Sequence, residues 1–250
     1  MAKRHGRLWD RIISRENFHQ AYAKAIRGKT KMRNIVAFAA DVEGNLERVR
    51  ELLISKRFTT SPYQVKIITD PKRREIFVLP FSPDRIVQHA LMNVVEPIWD
   101  KLMISDSYAC RIGKGQHAGS KKAMEFVRRH KYCLQCDIAK FYPSINHDIL
   151  AHLVRKKIKC PDTLWLLDDI IYSYPGGCNA PIGNYTSQWM GNLYLNELDQ
   201  LVKHALKPAG YLRYCDDFCL FGDDKRQLHE FRKIIEEFLA SHLRLRYSYA

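Results

Sequence analysis

A chain of 250 residues, 46% of them hydrophobic, is long enough to bury a sizeable core in one or two domains. Its 41 Lys and Arg against 27 Asp and Glu leave a formal charge of +14, which favours a polyanionic partner, either nucleic acid or an anionic membrane. No long uncharged apolar run appears, and the start Met1-Ala2-Lys3-Arg4-His5-Gly6 lacks a signal-peptide core. A membrane role is therefore set aside and nucleic acid is the expected partner. Seven cysteines, several of them in strand-like runs, point to a reducing compartment.

In chain order, Ser14 caps a helix through Phe18, Tyr22 and Ile26. A second helix starts near Asp41, with Leu46, Val49, Leu52 and Leu53 on one face. The basic residues at 27–33 and 48–57 read as solvated faces or as phosphate contacts. Residues 63–69 and 73–79 read as a hairpin with Pro71 in its turn and Lys72, Arg73 and Arg74 at or near the tip. Those cations either block edge pairing or clamp a triphosphate. A long helical pattern spans Pro83 to Trp99, and Tyr108 to Gly119 is a Gly-rich basic loop. That loop lacks the Gly-Lys-Ser/Thr spacing of a nucleotide triphosphatase. Further helices fall at 147–157, with Asn146 as cap, and at 162–172, 187–206 and 228–239. Residues 243–249 alternate like a strand.

Two adjacent carboxylates interrupt an apolar run at Tyr214-Cys215-Asp216-Asp217. Apolar residues on both sides make two short strands, so the acids fall at a hairpin turn. Two anions there need solvent or a cation, and hard carboxylate oxygens suit Mg²⁺. Asp168-Asp169 and Asp223-Asp224 sit in or before helical patterns and read as helix surface or first-turn acids. A third acid, Asp137, ends the strand-like segment 132–137 just before Phe141 and Tyr142. Alone it reads equally as a turn or cap residue. Cys133 and Cys136 suggest half of a zinc site, but residues three apart in a strand face opposite ways, and no second Cys/His pair follows at finger-like spacing.

Asp137 with Phe141-Tyr142, followed by Tyr214 and Asp216-Asp217, resembles motifs A and C of reverse transcriptases. Between them, the segment from Pro181 to Asp199 resembles motif B. Upstream, Lys72-Arg73-Arg74-Glu75-Ile76, Asp84-Arg85-Ile86-Val87-Gln88 and residues 107–115 resemble fingers motifs of the bacterial, group II intron-like branch. The ordered set is far more specific than any one member. In motif B, Ile182-Gly183 and Ser187-Gln188 stand where group II intron and retron enzymes show Gln-Gly and Ser-Pro. This variant resembles the enzymes of diversity-generating retroelements, which copy a template RNA with frequent errors at adenine.

The resemblance implies an α+β right-hand polymerase fold. Residues 1–131 would be mainly fingers with an N-terminal helical extension, and 132–250 mainly palm, with 146–180 partly fingers and no thumb. It implies a palm built on an antiparallel sheet with helices on one face. It further implies an RNA-directed DNA polymerase of a bacterium or phage, located in the cytoplasm. Asp137, Asp216 and Asp217 would be catalytic and, with the Ile138 carbonyl, would hold two Mg²⁺, with Mn²⁺ as substitute. Lys72, Arg73, Arg74, Tyr142, Ile182 and Gly183 would bind the nucleotide, with Tyr142 rejecting a ribose. Arg111, Lys114, Ser187 and Gln188 would meet template and primer. The implied partners are template RNA, primer and cDNA, deoxynucleoside triphosphates and a small basic accessory protein. The alternatives are a retron, group II intron or antiviral-defence enzyme, and a non-catalytic RNA-binding scaffold.

Overall fold

The computed structural model describes residues 4–70 and 73–248. The chain forms two compact units. One holds the chain up to Ile98 together with Ala151–Gly176 and Pro181–Ser187; the other holds Trp99–Leu150, Gly177–Ala180 and the chain from Gln188 onward.

In the first unit, α1 (Trp9–Ile12) leads into α2 (Arg15–Ala25), where the Ser14 hydroxyl accepts from the Asn17 amide. The helices α3 (Arg33–Ala39) and α4 (Val42–Ile54) follow, α4 capped by Asp41 accepting from the Gly44 amide. Apolar residues at helical spacing, Phe18 and Ala21 on α2 and Leu46, Val49 and Leu53 on α4, are buried. The basic run before residue 33 hid α3, whose Phe38 packs on Tyr22 and Phe81. The expected hairpin is present as β1 (Gln64–Ile68) and β2 (Arg74–Val78), antiparallel with Ile68 opposite Arg74. Ser82 is extended, so the helix begins at Pro83, as its pattern reads. A π-turn at Phe81–Arg85 precedes α5 (Ile86–Asp100). The carboxylate of Asp84 is buried there and accepts from the Ser61 amide and hydroxyl.

In the second unit a loop precedes α6 (Gln116–Arg129), a helix that the Gly-rich reading of 108–119 concealed. Next come β3 (Tyr132–Ile138), α7 (Phe141–Ser144) and α8 (His147–Arg155), which runs on into the first unit. The Asn146 side chain caps α8 by accepting from the Ile149 amide. After α9 (Pro161–Tyr172) in the first unit comes α10 (Tyr185–Leu201), extended by a π-turn to Leu206. The hairpin β4 (Gly210–Tyr214) and β5 (Asp217–Gly222), the helix α11 (Lys225–Leu243) and β6 (Tyr247–Ser248) complete the chain. The strand read from Leu243 starts later, at Tyr247, and Tyr249 lies outside the described residues. α11 continues through Leu243 and ends on Arg244 in a left-handed conformation.

The sheet order is β4-β5-β3-β6, antiparallel throughout. Register separates its two faces. Gly210, Leu212, Cys219 and Phe221 share one face, where Phe126 of α6 stacks on Phe221 at 5.2 Å. Tyr211, Arg213, Phe218 and Leu220 share the other, where Tyr211 and Arg213 reach Asp199 of α10. Helices thus cover both faces, not one as the sequence pattern implied. The other double acids serve in caps, ion pairs and tertiary hydrogen bonds. Asp168 pairs with Arg155, Asp169 accepts from Thr60, Asp223 accepts from the Lys131 amide, and Asp224 caps α11.

Candidate active site

The candidate acids lie in the second unit at one end of the sheet. Tyr214 faces Asp217 across the hairpin, so Cys215 and Asp216 are the two central turn residues. Cys215 has φ +54° and Asp216 does not, the pattern of a two-residue turn whose twist matches its strands. On the other side of β5, Cys136 of β3 lies opposite Phe218. One further step of the same register brings Asp137 level with Asp217, and opposite residues share a face. Asp137 itself pairs with Ser248 on β6. Asp217 is exposed, while Asp137 and Asp216 are half-buried. Asp216 and Asp217 thus stand on a hairpin whose strands are largely buried, and Asp137 on a strand with Cys136 and Ile138 buried beside it.

Tyr142 joins this cluster from α7. Burial, and then the neighbouring Cys215, Cys110 and Asp216, hold its hydroxyl protonated far above the usual range. The Cys215 thiol is likewise raised, by its hydrogen bond with Cys110, by burial and by Asp216. Gly191 of α10 lets this packing form, since a β-carbon there would lie 3.1 Å from Phe141 and 3.3 Å from Tyr142. The backbone carbonyl of Tyr142 accepts from Ala180 at 2.9 Å, which anchors the chain just before the motif B-like loop. Ile138 is buried and paired with Tyr247.

The donor set offers hard oxygens, which fits Mg²⁺. Among the described residues no three His, Cys, Asp or Glu side chains are close enough to cage an ion. Mg²⁺ takes one or two carboxylates and fills its shell with water and substrate phosphate, so an open arrangement of acids suits it. Cys133 is exposed and Cys136 buried, as expected for opposite faces of β3.

The other candidates separate by unit. In the first unit, the Ile182 carbonyl accepts from the Phe77 amide at 2.7 Å, which docks the loop on β2. Gly183 has φ +119°, and a β-carbon there would meet the Phe77 carbonyl oxygen at 2.6 Å. Only glycine allows that approach. Ser187 is buried and donates to the Pro181 carbonyl at 2.8 Å, closing the loop from within. Arg73 and Arg74 are exposed, and Lys72 lies outside the described residues. A groove of about 290 Å³ between α2 and α4 is bordered by the ion pairs of Glu47 with Arg15 and Arg50, and contains none of the candidates.

In the second unit, Gln188 is exposed. Arg111 and Lys114, expected at the template and primer, bond back onto residues 100–107. Arg111 bonds Asp100 at 2.7 Å and the carbonyls of Ile104 and Ser107, with only 9% of its side chain exposed. Lys114 donates to the Ser105 carbonyl and lies over the Tyr108 ring. A loop with few regular backbone bonds uses these cations to satisfy its carbonyls.

Sequence reasoning passed over Arg213. It is fully buried and forms an ion pair with the equally buried Asp199 at 2.7 Å. The signal was present: a guanidinium inside an apolar strand must find an acid.

The family described as "Reverse transcriptase (RNA-dependent DNA polymerase)" matches residues 69–247. The chain is 24% identical to Protein YkfC of Escherichia coli K12 over an alignment covering 80% of this chain and 65% of that protein. It is 24% identical to an uncharacterized 91 kDa protein in the cob intron of Schizosaccharomyces pombe, covering 66% and 22%. It is 22% identical to nuclear intron maturase 4, mitochondrial, of Arabidopsis thaliana, covering 61% and 20%. The chain therefore spans less than two thirds of the length of these relatives. Among solved structures, apo telomerase from Candida tropicalis superposes with TM-score 0.53 at 12% identity, over 82% of this chain and 54% of that one. Candida albicans telomerase with a fragment of telomeric RNA gives TM-score 0.58 at 10% identity, over 78% and 43%. At such identity the likeness is one of fold. With the family match covering most of its length, the chain belongs to the reverse transcriptase (RNA-dependent DNA polymerase) family.

Proposed function

We propose that this chain is the polymerase core of an RNA-directed DNA polymerase, with Asp137, Asp216 and Asp217 as its catalytic acids. The observation that carries this reading is the register that brings the end of β3 level with the acid-bearing turn of β4-β5. We assign residues 1–131 mainly to fingers and 132–250 mainly to palm, with 146–180 partly fingers. Two Mg²⁺ ions bound by these carboxylates and the Ile138 carbonyl would activate the primer 3′-hydroxyl and stabilise the departing pyrophosphate. The protein's part is positioning. The acids stand on paired strands of one sheet, which need no rearrangement to hold charge. Tyr142 would exclude a ribose 2′-hydroxyl, a role its nearness to Cys215 and Asp216 supports. Arg73 and Arg74 supply exposed charge for the triphosphate, Ile182 and Gly183 line the nascent base pair, and Gln188 meets the template. Ser187 holds the motif B-like loop closed.

Within the family we assign the chain to the error-prone, diversity-generating class. Ile182 in place of Gln, and Ser187-Gln188 in place of Ser-Pro, support that assignment. An aliphatic side chain at 182 removes a polar contact and relaxes the check on base-pair geometry. The small basic accessory protein belongs to the same proposal.

The test is Mg²⁺-dependent primer extension on an RNA template, with the full-length protein and its accessory protein and with Asp216→Asn/Asp217→Asn as control. Loss of extension in the control, with errors concentrated opposite adenine, is expected. Ile182→Gln should lower those errors. Accurate copying by the wild type would remove the subclass, and extension by the control would remove the acids from the mechanism.

A further inference from the structure

The turn that carries Asp216 is short and unfavourable for its sequence. Cys215 holds φ +54°, a conformation that favours glycine. Such a residue persists where its surroundings over-determine it. Arg213, two residues earlier, supplies that determination. Its Nη1 donates to the Cys215 carbonyl at 2.9 Å and to Asn192 Oδ1 at 3.1 Å. Its Nε and Nη2 donate to the two oxygens of Asp199 at 2.9 and 2.7 Å, and Nη2 also donates to Ser107 Oγ at 3.3 Å. All five guanidinium N–H groups are thereby engaged.

Each partner is itself held. Asn192 Nδ2 donates to the Ala109 carbonyl, which settles which end of the amide faces Arg213. Asp199 also accepts from the Tyr211 hydroxyl at 2.8 Å. Asn192 and Asp199 lie seven residues, about two turns, apart on α10 and so share a face. The backbone of Arg213 is bonded on its outer edge to the Asp106 carbonyl and the Tyr108 amide. The guanidinium is thus a rigid strut between α10 and the peptide group joining Cys215 to Asp216.

We propose that Arg213 is a positioning residue for DNA synthesis. Through its bond to the Cys215 carbonyl it transmits the placement of α10 to the turn bearing Asp216. The inference rests on the reading of Asp216 as a catalytic acid. Its consequence is that α10, which carries the motif B-like sequence, sets the carboxylate's position through one side chain. A planar fork does this and an ammonium does not, since Lys at 213 keeps the charge but cannot hold Asp199 and Cys215 together.

The test compares full-length wild type with Arg213→Lys and with the shape-matched Tyr211→Phe/Arg213→Met/Asp199→Leu, which removes the buried charges together. Both are scored on cooperatively melting protein. The expected result is kcat lowered about 10- to 100-fold, with KM for deoxynucleotide and affinity for template–primer within about twofold. The Mg²⁺ concentration for half-maximal rate should rise about tenfold. In metal-free protein the Asp216 and Asp217 amides should exchange hydrogen faster than in wild type. A folded variant with kcat and exchange within about twofold of wild type overturns the proposal. If neither variant folds, Asn192→Ala decides by the same two readouts, because it keeps the ion pair and removes one support of the fork. Asp216→Asn run in parallel separates the two ideas. Extension by Asp216→Asn defeats the acid assignment. An inactive Asp216→Asn beside a fully active Arg213→Lys defeats the strut alone.

Discussion

The two hairpins of this chain have strands of similar length and opposite physical characters. In β1-β2 every residue of β1 is exposed, with Val65 and Ile67 at 53% each, and five residues join the strands. In β4-β5 the residues Gly210 to Arg213 are buried and the turn has two residues. A two-residue turn pinned by Arg213 holds a carboxylate to a fixed place, whereas Arg73 and Arg74 of the exposed hairpin stand in solvent. The first-unit hairpin is anchored through β2, where the Phe77 amide bonds the Ile182 carbonyl and the Phe77 ring packs on Tyr174 and Tyr63.

The largest effect should break the buried hairpin's chemistry without its fold. Asp137→Asn or Asp216→Asn is expected to reduce primer extension at least ~100-fold at an unchanged melting temperature. A large loss of stability would mean that the acids are structural. Next, Gly183→Ala attacks the anchor of the exposed hairpin. The short contact to Phe77 and the positive φ should together cost about 2–3 kcal/mol and raise KM for deoxynucleotide. Gly113→Ala is the matched control, with φ +74° but no atom within 4 Å. It should cost about 1–2 kcal/mol and leave KM alone.

Arg111→Ala should lower stability by about 1–3 kcal/mol, because two loop carbonyls and Asp100 lose a common donor. Template affinity should stay unchanged, and a loss of affinity with full stability would restore Arg111 to the template contacts. Gly191→Ala should cost about 1 kcal/mol by crowding Phe141 and Tyr142, and should shift the ratio of deoxy- to ribonucleotide incorporation. Smallest in stability is Arg73→Ala/Arg74→Ala, within about 0.5 kcal/mol of wild type. Its expected signature is a salt-sensitive rise in KM for the triphosphate.

Much of the architecture is written in local pattern. Ser14 and Asn146 cap the helices they were expected to cap, and Asp41 caps the helix read as starting near it, because an N-cap bond spans only two or three residues. The hairpin at 211–221 and its acidic turn were legible for the same reason, as apolar runs on both sides of two carboxylates. Helix α6 was hidden by Gly119 in its first turn and by the glycines just before it, Gly113 and Gly115.

The sequence by itself determined the family, the order of the motifs and the identity of the three candidate acids, because these reside in contiguous residue types and short spacings. Only the tertiary structure decided what the basic residues do. Arg111 was spent on its own loop, Arg73 and Arg74 were left exposed, and Arg213 was given partners 14 residues away at Asp199 and 106 residues away at Ser107. The physical reason is that a guanidinium carries the same charge wherever it stands. Whether it meets solvent, a ligand or a buried carboxylate depends on contacts between segments distant in sequence, which no local pattern records.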